Sequence, residues 1–253
     1  WPYANSDMHL GHIAGLISGD ILARYYRLQG DNVMFVSGTD CHGTPITERA
    51  KKEKKSPKEI AEYYHSRDKE TLEKFDFSYD LYTNTDTDFH KKAVMDMFKK
   101  IYDNGYIYEK IEPQAFCEKC NKFLSDRELK ITCPKCGEET KAEQCDSCGY
   151  VPVIEDMKDG ICLECGSKTV LRDNKNLYLK LSAFQKDIEK YVEENDKLWR
   201  VNAKNETNKY LKQGLVDRAV TRDLDWGVDI PVPNYESKKM YVWIEAVMGY
   251  ITA

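Results

Sequence analysis

The chain has 253 residues and a formal net charge of -5 at pH 7, from 38 Lys and Arg against 43 Asp and Glu. This acidic balance gives no support to nucleic-acid binding through a general positive field, so any RNA contact must be local or lie elsewhere. No apolar run approaches the roughly 20 residues of a membrane span. The length suits one or two domains. The first residues, Trp-Pro-Tyr, resemble neither a signal peptide nor an initiator methionine, so we expect a trimmed piece.

Residues 1–19, WPYANSDMHLGHIAGLISG, change from a polar, turn-forming stretch to an apolar pattern of helical period. This change predicts a helix over residues 12–28. His9 and His12 would then lie at the helix N-terminus, whose free N–H groups and positive dipole end suit an anion such as phosphate. Gly11 lacks a Cβ and would let a flat ligand lie against the backbone. The tetrad indicates nucleotide chemistry, but two histidines that only cap and pack a helix would give the same letters.

The next segment, NVMFV at residues 32–36, is a short apolar run between turn residues and predicts a buried parallel strand. The loop after it, SGTDCHGTP, carries Asp40 and His42 where open α/β sheets bind ligands, at the carboxyl end of the strand. An aspartate there can pair with a ligand ammonium group or make only local turn hydrogen bonds. Cys41 is predicted to be a buried, small apolar side chain.

Two helices are predicted next. Residues 56–77 begin with a serine cap, Pro57 at the first helical position and Glu59 three residues after the cap. Residues 86–104 form a second helical pattern, closed by a glycine. Its expected apolar face consists of Phe89, Ala93, Met97 and Ile101. We assign both helices to the scaffold.

Between residues 106 and 176 the composition changes to short strands and turns that carry four C-x-x-C pairs. These pairs are Cys117/Cys120, Cys133/Cys136, Cys145/Cys148 and Cys162/Cys165. Four thiolates satisfy a tetrahedral Zn²⁺, so eight ligands predict two closed, structural zinc sites, with iron–sulfur clusters as the alternative. Sequential and nested pairing of the knuckles are both open. Metal in a reducing cytoplasm fits this chain better than disulfides.

The remaining segments predict a strand at residues 177–181, helices at 182–194 and 202–213, and a loop at 218–233. Arg222 in this loop could bind a ligand or form a surface pair with Asp223. Residues 240–246, MYVWIEA, predict a buried strand or helix start. On composition alone Trp243 would be a core side chain.

Residues 1–19 resemble the signature of class I aminoacyl-tRNA synthetases, in which a His-x-Gly-His tetrad follows the first strand of a nucleotide-binding fold. PYANSDMHLGH is similar to the methionyl-tRNA synthetase form of that signature. Later stretches fit the same family in its order along the chain. They are GTDCHGTP at 38–45, the paired knuckles, VTRDLDWG at 220–227 and YVWIEA at 241–246.

The resemblance implies an α/β fold, a Rossmann-like nucleotide-binding fold that is split and incomplete. Its first half would cover residues 1–105, a connective insertion residues 106–237 with zinc knuckles at about 116–167, and the start of its second half residues 238–253. The resemblance favours nested knuckles, with Cys133, Cys136, Cys145 and Cys148 on the inner zinc and Cys117, Cys120, Cys162 and Cys165 on the outer. The family's Lys-Met-Ser-Lys-Ser loop and helical anticodon-binding domain are absent from this sequence, so we expect the isolated chain to be catalytically weak or inert.

The implied reaction joins L-methionine to ATP as methionyl-adenylate and then transfers methionine to tRNA(Met). Mg²⁺ would accompany ATP, and tRNA would contact mainly parts outside this chain. By resemblance, ATP binds at His9, Gly11 and His12, the two histidines being catalytic. The implied methionine-binding residues are Tyr3, Asp40, Arg222, Trp243 and Tyr250, with Asp40 on the ammonium group and the aromatic residues around the thioether. A cytoplasmic protein without membrane partners is expected.

Two other functions stay open. A class I synthetase for leucine, isoleucine, valine or cysteine would share the His-x-Gly-His motif, but the compact insertion with four knuckles and the PYAN run argue against it. A zinc-ribbon nucleic-acid-binding module without catalysis is the other, and the acidic balance argues against it.

Overall fold

The computed structural model describes residues 1–142, 144–150 and 152–253. Its helices are α1 (Leu10–Leu28), α2 (Thr44–Glu53), α3 (Pro57–Lys74), α4 (Asp88–Asp103), α5 (Gln185–Glu194), α6 (Val201–Gln213), α7 (Val242–Glu245) and α8 (Gly249–Thr252). Its strands are β1 (Val36–Thr39), β2 (Leu81–Asn84), β3 (Ile107–Cys117), β4 (Lys122–Phe123), β5 (Leu129–Thr132), β6 (Glu139–Lys141), β7 (Ile161–Cys162), β8 (Val170–Leu179), β9 (Arg218–Ala219), β10 (Thr221–Arg222) and β11 (Lys239–Met240). Within the described ranges, every helix is too short or too polar to cross a membrane.

The chain forms two compact units, of which the first consists of Trp1–Asn104 and Leu224–Ala253 and the second of Gly105–Asp223. Residues 224–237, predicted to end the insertion, therefore lie in the first unit. Trp226 anchors them there, because its indole Nε1 donates a hydrogen bond of 2.7 Å to the Cys41 carbonyl oxygen. A tryptophan whose polar edge is paired in this way is held by both its apolar area and its N–H group.

The first unit contains a parallel sheet in which β1 pairs with β2 in register from Val36 opposite Leu81 to Thr39 opposite Asn84. Residues 2–4 lie on the other edge of β1. There the Asp40 N–H donates to the Pro2 carbonyl oxygen at 2.8 Å, and the Ala4 N–H donates to the Asp40 carbonyl oxygen at 2.9 Å. The start of the chain is thus joined to the end of β1 by an isolated parallel bridge between Tyr3 and Asp40, beside a sheet of two strands.

The predicted strand at residues 32–36 is misplaced, because β1 begins only at its last residue and continues through Ser37, Gly38 and Thr39. Met34, from the apolar run, is 79% exposed. A Cβ at Gly38 would lie 2.5 Å from the Thr83 carbonyl oxygen and 2.7 Å from the Trp1 ring. Close approach of neighbouring segments therefore requires small residues in this strand. For this reason a search for apolar runs does not locate the strand.

The predicted helix at residues 56–77 is confirmed as α3, with Ser56 and Glu59 forming a reciprocal capping box. The helix predicted at 86–104 is confirmed as α4, but its predicted apolar face is wrong. The buried residues are His90, Val94 and Phe98, whereas Phe89 is 67% exposed. The rotation follows from His90, whose ring is bonded inside the unit and must face inwards.

The second unit is built on a long antiparallel pair, β3 with β8, extended to a sheet of order β4-β3-β8-β9. A smaller sheet of order β6-β5-β7 lies between these two long strands in sequence. Cys117 ends β3 and Cys162 ends β7, so a long strand and a short strand each supply a thiol to the knuckle segment, residues 116–167. A small cluster that includes Leu124, Leu129 and Ile131 forms its apolar core.

Candidate functional site

His9 and His12 form the cap of α1. The Gly11 N–H donates to His9 Nδ1 at 3.0 Å, and the His9 N–H donates to His12 Nδ1 at 3.2 Å. The two rings are stacked, with centroids 3.9 Å apart. Because the histidines satisfy N–H groups that a helix start leaves unpaired, α1 begins at Leu10, two residues before the predicted start.

The capping bonds determine which ring nitrogen is available for a ligand. An Nδ1 that accepts a hydrogen bond carries no proton, so in the neutral ring the proton lies on Nε2. Burial, followed by the nearby His9, lowers the pKa of His12, which favours the neutral ring at pH 7. Both imidazoles can therefore offer Nε2–H as a donor. A Cβ at Gly11 would lie 2.8 Å from His9 Cε1, so the His9 ring packs against this glycine, and the contact of Gly11 with a ligand stays a prediction.

Asp40 is a buried acid at the carboxyl end of β1, with 6% of its surface exposed. Burial, and then the negative charge of Glu245, raise the pKa of Asp40 to about 7. The His42 N–H lies 3.4 Å from Asp40 Oδ1. Tyr3 pairs with Asp40 through a parallel backbone bridge, so the structure brings these two predicted site residues together.

Trp243 and Tyr250 are 63% and 64% exposed, so the prediction from composition that Trp243 is a core side chain is wrong. Their helices nevertheless pack against the β1 region. A Cβ at Gly43 would lie 3.2 Å from Val242 Cγ1, next to Trp243 in sequence. The Tyr250 ring lies edge-on to the Trp1 ring, at 5.7 Å between centroids. The exposed Trp243 and Tyr250 therefore belong to the same unit as the buried acid Asp40, a combination suited to an apolar ligand that carries a charged end.

Arg222 lies in the second unit, at the end of β10. Its Nη1 donates to the carbonyl oxygens of Ala219, at 3.1 Å, and Thr221, at 2.9 Å. Asp223 beside it accepts a hydrogen bond of 2.7 Å from Asn174 Nδ2. These local bonds fix the position of the arginine within its own unit, and its role in methionine binding stays a prediction.

A buried ionic network next to Asp40 is the main feature that was not predicted. Glu245, fully buried, accepts from His42 Nδ1 at 3.0 Å and from His90 Nε2 at 2.9 Å. His42 Nε2 lies 3.1 Å from Asp86 Oδ1, and Asp86 also pairs with Lys91. The signal in the sequence was a glutamate inside the apolar run YVWIEA, because a charge in a buried segment requires a partner.

The eight paired cysteines form two groups of four sulfur atoms, each group spanning no more than 4.8 Å. Cys117 and Cys165 are 3.4 Å apart and Cys120 and Cys162 3.9 Å apart in one group. The other group has 3.7 Å between Cys133 and Cys148 and 3.5 Å between Cys136 and Cys145. A tetrahedral zinc with Zn–S distances of about 2.3 Å requires sulfur atoms about 3.8 Å apart, so both groups fit zinc. The grouping is the nested one.

The knuckles share one backbone turn, in which the residue after the second cysteine adopts the left-handed conformation. That residue is Gly137, Gly149 or Gly166 in three knuckles and Asn121 in the fourth. Glycine and asparagine are the residues that adopt this conformation at least cost. The turn also directs backbone bonds back to the first cysteine, as where the Gly137 N–H donates to the Cys133 carbonyl oxygen at 2.9 Å. Each turn thus presents two thiols to one point.

Comparison with known proteins agrees with this geometry. The family model described as tRNA synthetases class I (M) matches residues 1–253, and the chain belongs to this family. Methionine–tRNA ligase 1 of Alkaliphilus oremlandii is 49% identical over 252 residues, which are 100% of this chain and 47% of that protein. Methionine–tRNA ligase of Bacillus cereus is 48% identical over 255 residues, again 100% and 47%. The chain thus spans about half the length of the curated relatives it matches.

The solved structures support the fold. Mycobacterium tuberculosis methionyl-tRNA synthetase bound by methionyl-adenylate aligns with a TM-score of 0.74 and 22% identity, over 99% of this chain and 45% of that one. The predicted family and the predicted α/β fold with a knuckle-bearing insertion are therefore confirmed.

Proposed function

We propose that this chain forms part of a methionine–tRNA ligase, which activates L-methionine with ATP and transfers it to tRNA(Met) in the cytoplasm. The observation that carries the proposal is the 49% identity, over the whole chain, to a methionine–tRNA ligase. The arrangement of the first unit supports it, because a buried acid and exposed aromatic side chains lie near the end of β1. The rest of the activity would require segments that the longer relatives contain.

In the first step, a methionine carboxylate oxygen bonds to the α-phosphorus of ATP as the bond to the pyrophosphate oxygen breaks, and pyrophosphate leaves. The carboxylate is already ionised at neutral pH, so no general base is needed. The task of the protein is to place the two reactants and to stabilise phosphate charge. Mg²⁺ bound with ATP would screen part of that charge. We propose that the Nε2–H groups of His9 and His12 donate to phosphate oxygens.

Replacement of His12 by alanine tests this role. Loss of one donor to a developing negative charge typically costs about 10²–10³ in rate, so we expect methionine-dependent pyrophosphate exchange by the full-length protein to fall by that factor. The cost in folding free energy should be only about 1 kcal/mol, since a single capping bond is lost. His65→Gln is the matched control, because His65 bonds to Thr39 away from the cap. An exchange rate within threefold of the parent in His12→Ala would contradict the proposed role.

Selection of methionine would rest on shape and on sulfur–aromatic contact, since a thioether offers almost no hydrogen-bonding group. We propose that Trp243, Tyr250 and Tyr3 line this pocket, that Asp40 pairs with the ammonium group and that Arg222 is a further methionine-binding residue. The two zinc ions would hold the knuckle segment in shape and take no part in the reaction.

Calorimetric titration with methionine, norleucine and leucine tests the proposed substrate. We expect the full-length protein to bind methionine most tightly and Trp243→Ala to lose at least tenfold in affinity, because the exposed indole follows Val242, which contacts the loop at Gly43. Trp199→Ala, which alters a tryptophan of the second unit, is the control and should bind as the parent does. Tighter binding of leucine than of methionine would refute the proposal and favour a synthetase for a branched apolar amino acid.

A further inference from the structure

Glu245 joins segments that are far apart in the sequence. Its carboxylate connects α7 with the loop after β1 through His42, 203 positions away, and with α4 through His90, 155 positions away. The two oxygens are divided between the two rings, Oε1 to His42 and Oε2 to His90. Both histidines, like Glu245, are almost completely buried. A buried carboxylate held from two sides has little freedom to move.

The network is ionic at neutral pH. Burial alone would raise the pKa of Glu245, but the hydrogen bonds from His42 and His90 lower it below its usual value. Burial alone would lower the pKa of His42, but its bonds to Asp86 and Glu245 raise it to about 9. An imidazolium between two carboxylates is thereby the favoured state. Removal of one member would leave a buried charge without compensation.

The network includes one residue from each of the two segments that would hold the amino acid. His42 is two residues from Asp40, and Glu245 is two residues from Trp243. The contact between Gly43, with φ of 90°, and Val242 brings the same loop and α7 together a second time. Glu245, His42 and His90 are too buried to touch a substrate, so their effect would be exerted through Asp40 and Trp243.

We propose that Glu245 is a positioning residue of the amino-acid site, which holds the Asp40 loop and the Trp243 helix at the separation that one amino acid requires. This inference rests on the proposed function, since it assigns the two segments to one ligand. ATP, whose proposed site is at His9 and His12, does not depend on that separation. The two substrates should therefore respond differently when the network is changed.

The test is Glu245→Gln in the full-length, zinc-loaded protein. Glutamine keeps the size of the side chain but lacks the charge. Its terminal oxygen can accept a hydrogen bond, whereas its terminal NH2 group can only donate, so the two terminal atoms cannot both accept from the histidines. We expect the KM for methionine to rise at least tenfold, with selectivity over norleucine reduced, while the KM for ATP stays within twofold. The matched control is Asp68→Asn, another almost completely buried acid of the first unit, in α3 and outside the network. It should leave the KM for methionine unchanged.

A second variant, and the amino-acid preference of the parent protein, complete the test. His90→Gln retains a donor to Glu245 and should raise the KM for methionine by about threefold, which covers the case in which Glu245→Gln does not fold. A KM for methionine within twofold of the parent in Glu245→Gln or, if that variant does not fold, in His90→Gln would overturn the inference, as would equal losses for methionine and ATP. A parent protein that prefers another amino acid would instead refute the proposed function, so the two failures are distinguishable.

Discussion

Removal of zinc is expected to unfold the knuckle segment of the second unit while the first unit stays folded. The apolar core of that segment is small, and Cys117 and Cys162 are themselves members of it. Without a cation, four thiols would crowd within 4.8 Å in each group. Structural zinc sites contribute about 10–16 kcal/mol in isolated fingers at pH 7, which exceeds the stability of most domains.

The measurement is amide hydrogen exchange before and after treatment with a chelator, together with metal analysis. We expect two zinc ions per chain, both released by the chelator, and loss of protection in β4, β5, β6 and β7 with protection in α3 and α4 retained. Cys136→Ser should bind one zinc fewer, whereas Cys41→Ala should bind both, because Cys41 is buried in the first unit away from either group. Unchanged protection in metal-free protein would contradict a structural role for zinc.

Replacement of Asp40 by asparagine is expected to weaken methionine binding by at least a hundredfold at pH 8. A ligand ammonium group that enters this buried site without a counter-charge would be an unpaired buried ion, and such a loss costs about 3–5 kcal/mol. Asparagine keeps the shape of the side chain and removes the charge, so the loss should be electrostatic. Titration calorimetry of parent and variant measures it directly, and a loss of less than fivefold would rule out pairing between Asp40 and the ammonium group.

The same site predicts a pH dependence. The pKa of Asp40 is raised to about 7, by burial first and by Glu245 second, while the pKa of the neighbouring His42, about 9, keeps that ring charged at lower pH. Below pH 7 the free site therefore holds a proton that must leave when an ammonium group binds. The affinity should be about tenfold weaker at pH 6 than at pH 8, since one proton leaves per methionine bound and the affinity then falls about tenfold for each pH unit below the pKa.

Titrations in two buffers of different ionisation enthalpy would show this release, close to one proton per methionine at pH 6. The amino acid stays a zwitterion from pH 6 to pH 8, so the proton must come from the protein. Asp68→Asn is again the matched control. Burial raises the pKa of Asp68 to about 7 as well, yet this acid should not be coupled to the ligand. Proton release that persists in Asp40→Asn would assign the titration to another group.

Features that depend on neighbours along the chain could be predicted from the amino-acid sequence. The capping box of α3 arises from residues three positions apart, so its letters were sufficient, whereas the helical pattern placed the start of α1 two residues too late. The two groups of four thiols were also predictable, because C-x-x-C turns carry their ligands locally and zinc requires four. The choice between sequential and nested grouping came from family resemblance, since spacing alone leaves it open.

Features that depend on packing between distant segments became visible in the three-dimensional structure. These include the buried face of α4, the exposure of Trp243, the position of β1 and the bonds of Glu245 to His42 and His90. Hydrophobic periodicity assumes that apolar side chains define the inside of a unit. Here a buried ion network orients α4, and close backbone approach at Gly38 selects small residues for β1. Both effects arise from partners more than 35 positions away, so periodicity along the chain could not locate them, and the glutamate inside YVWIEA indicated only that a buried partner was required.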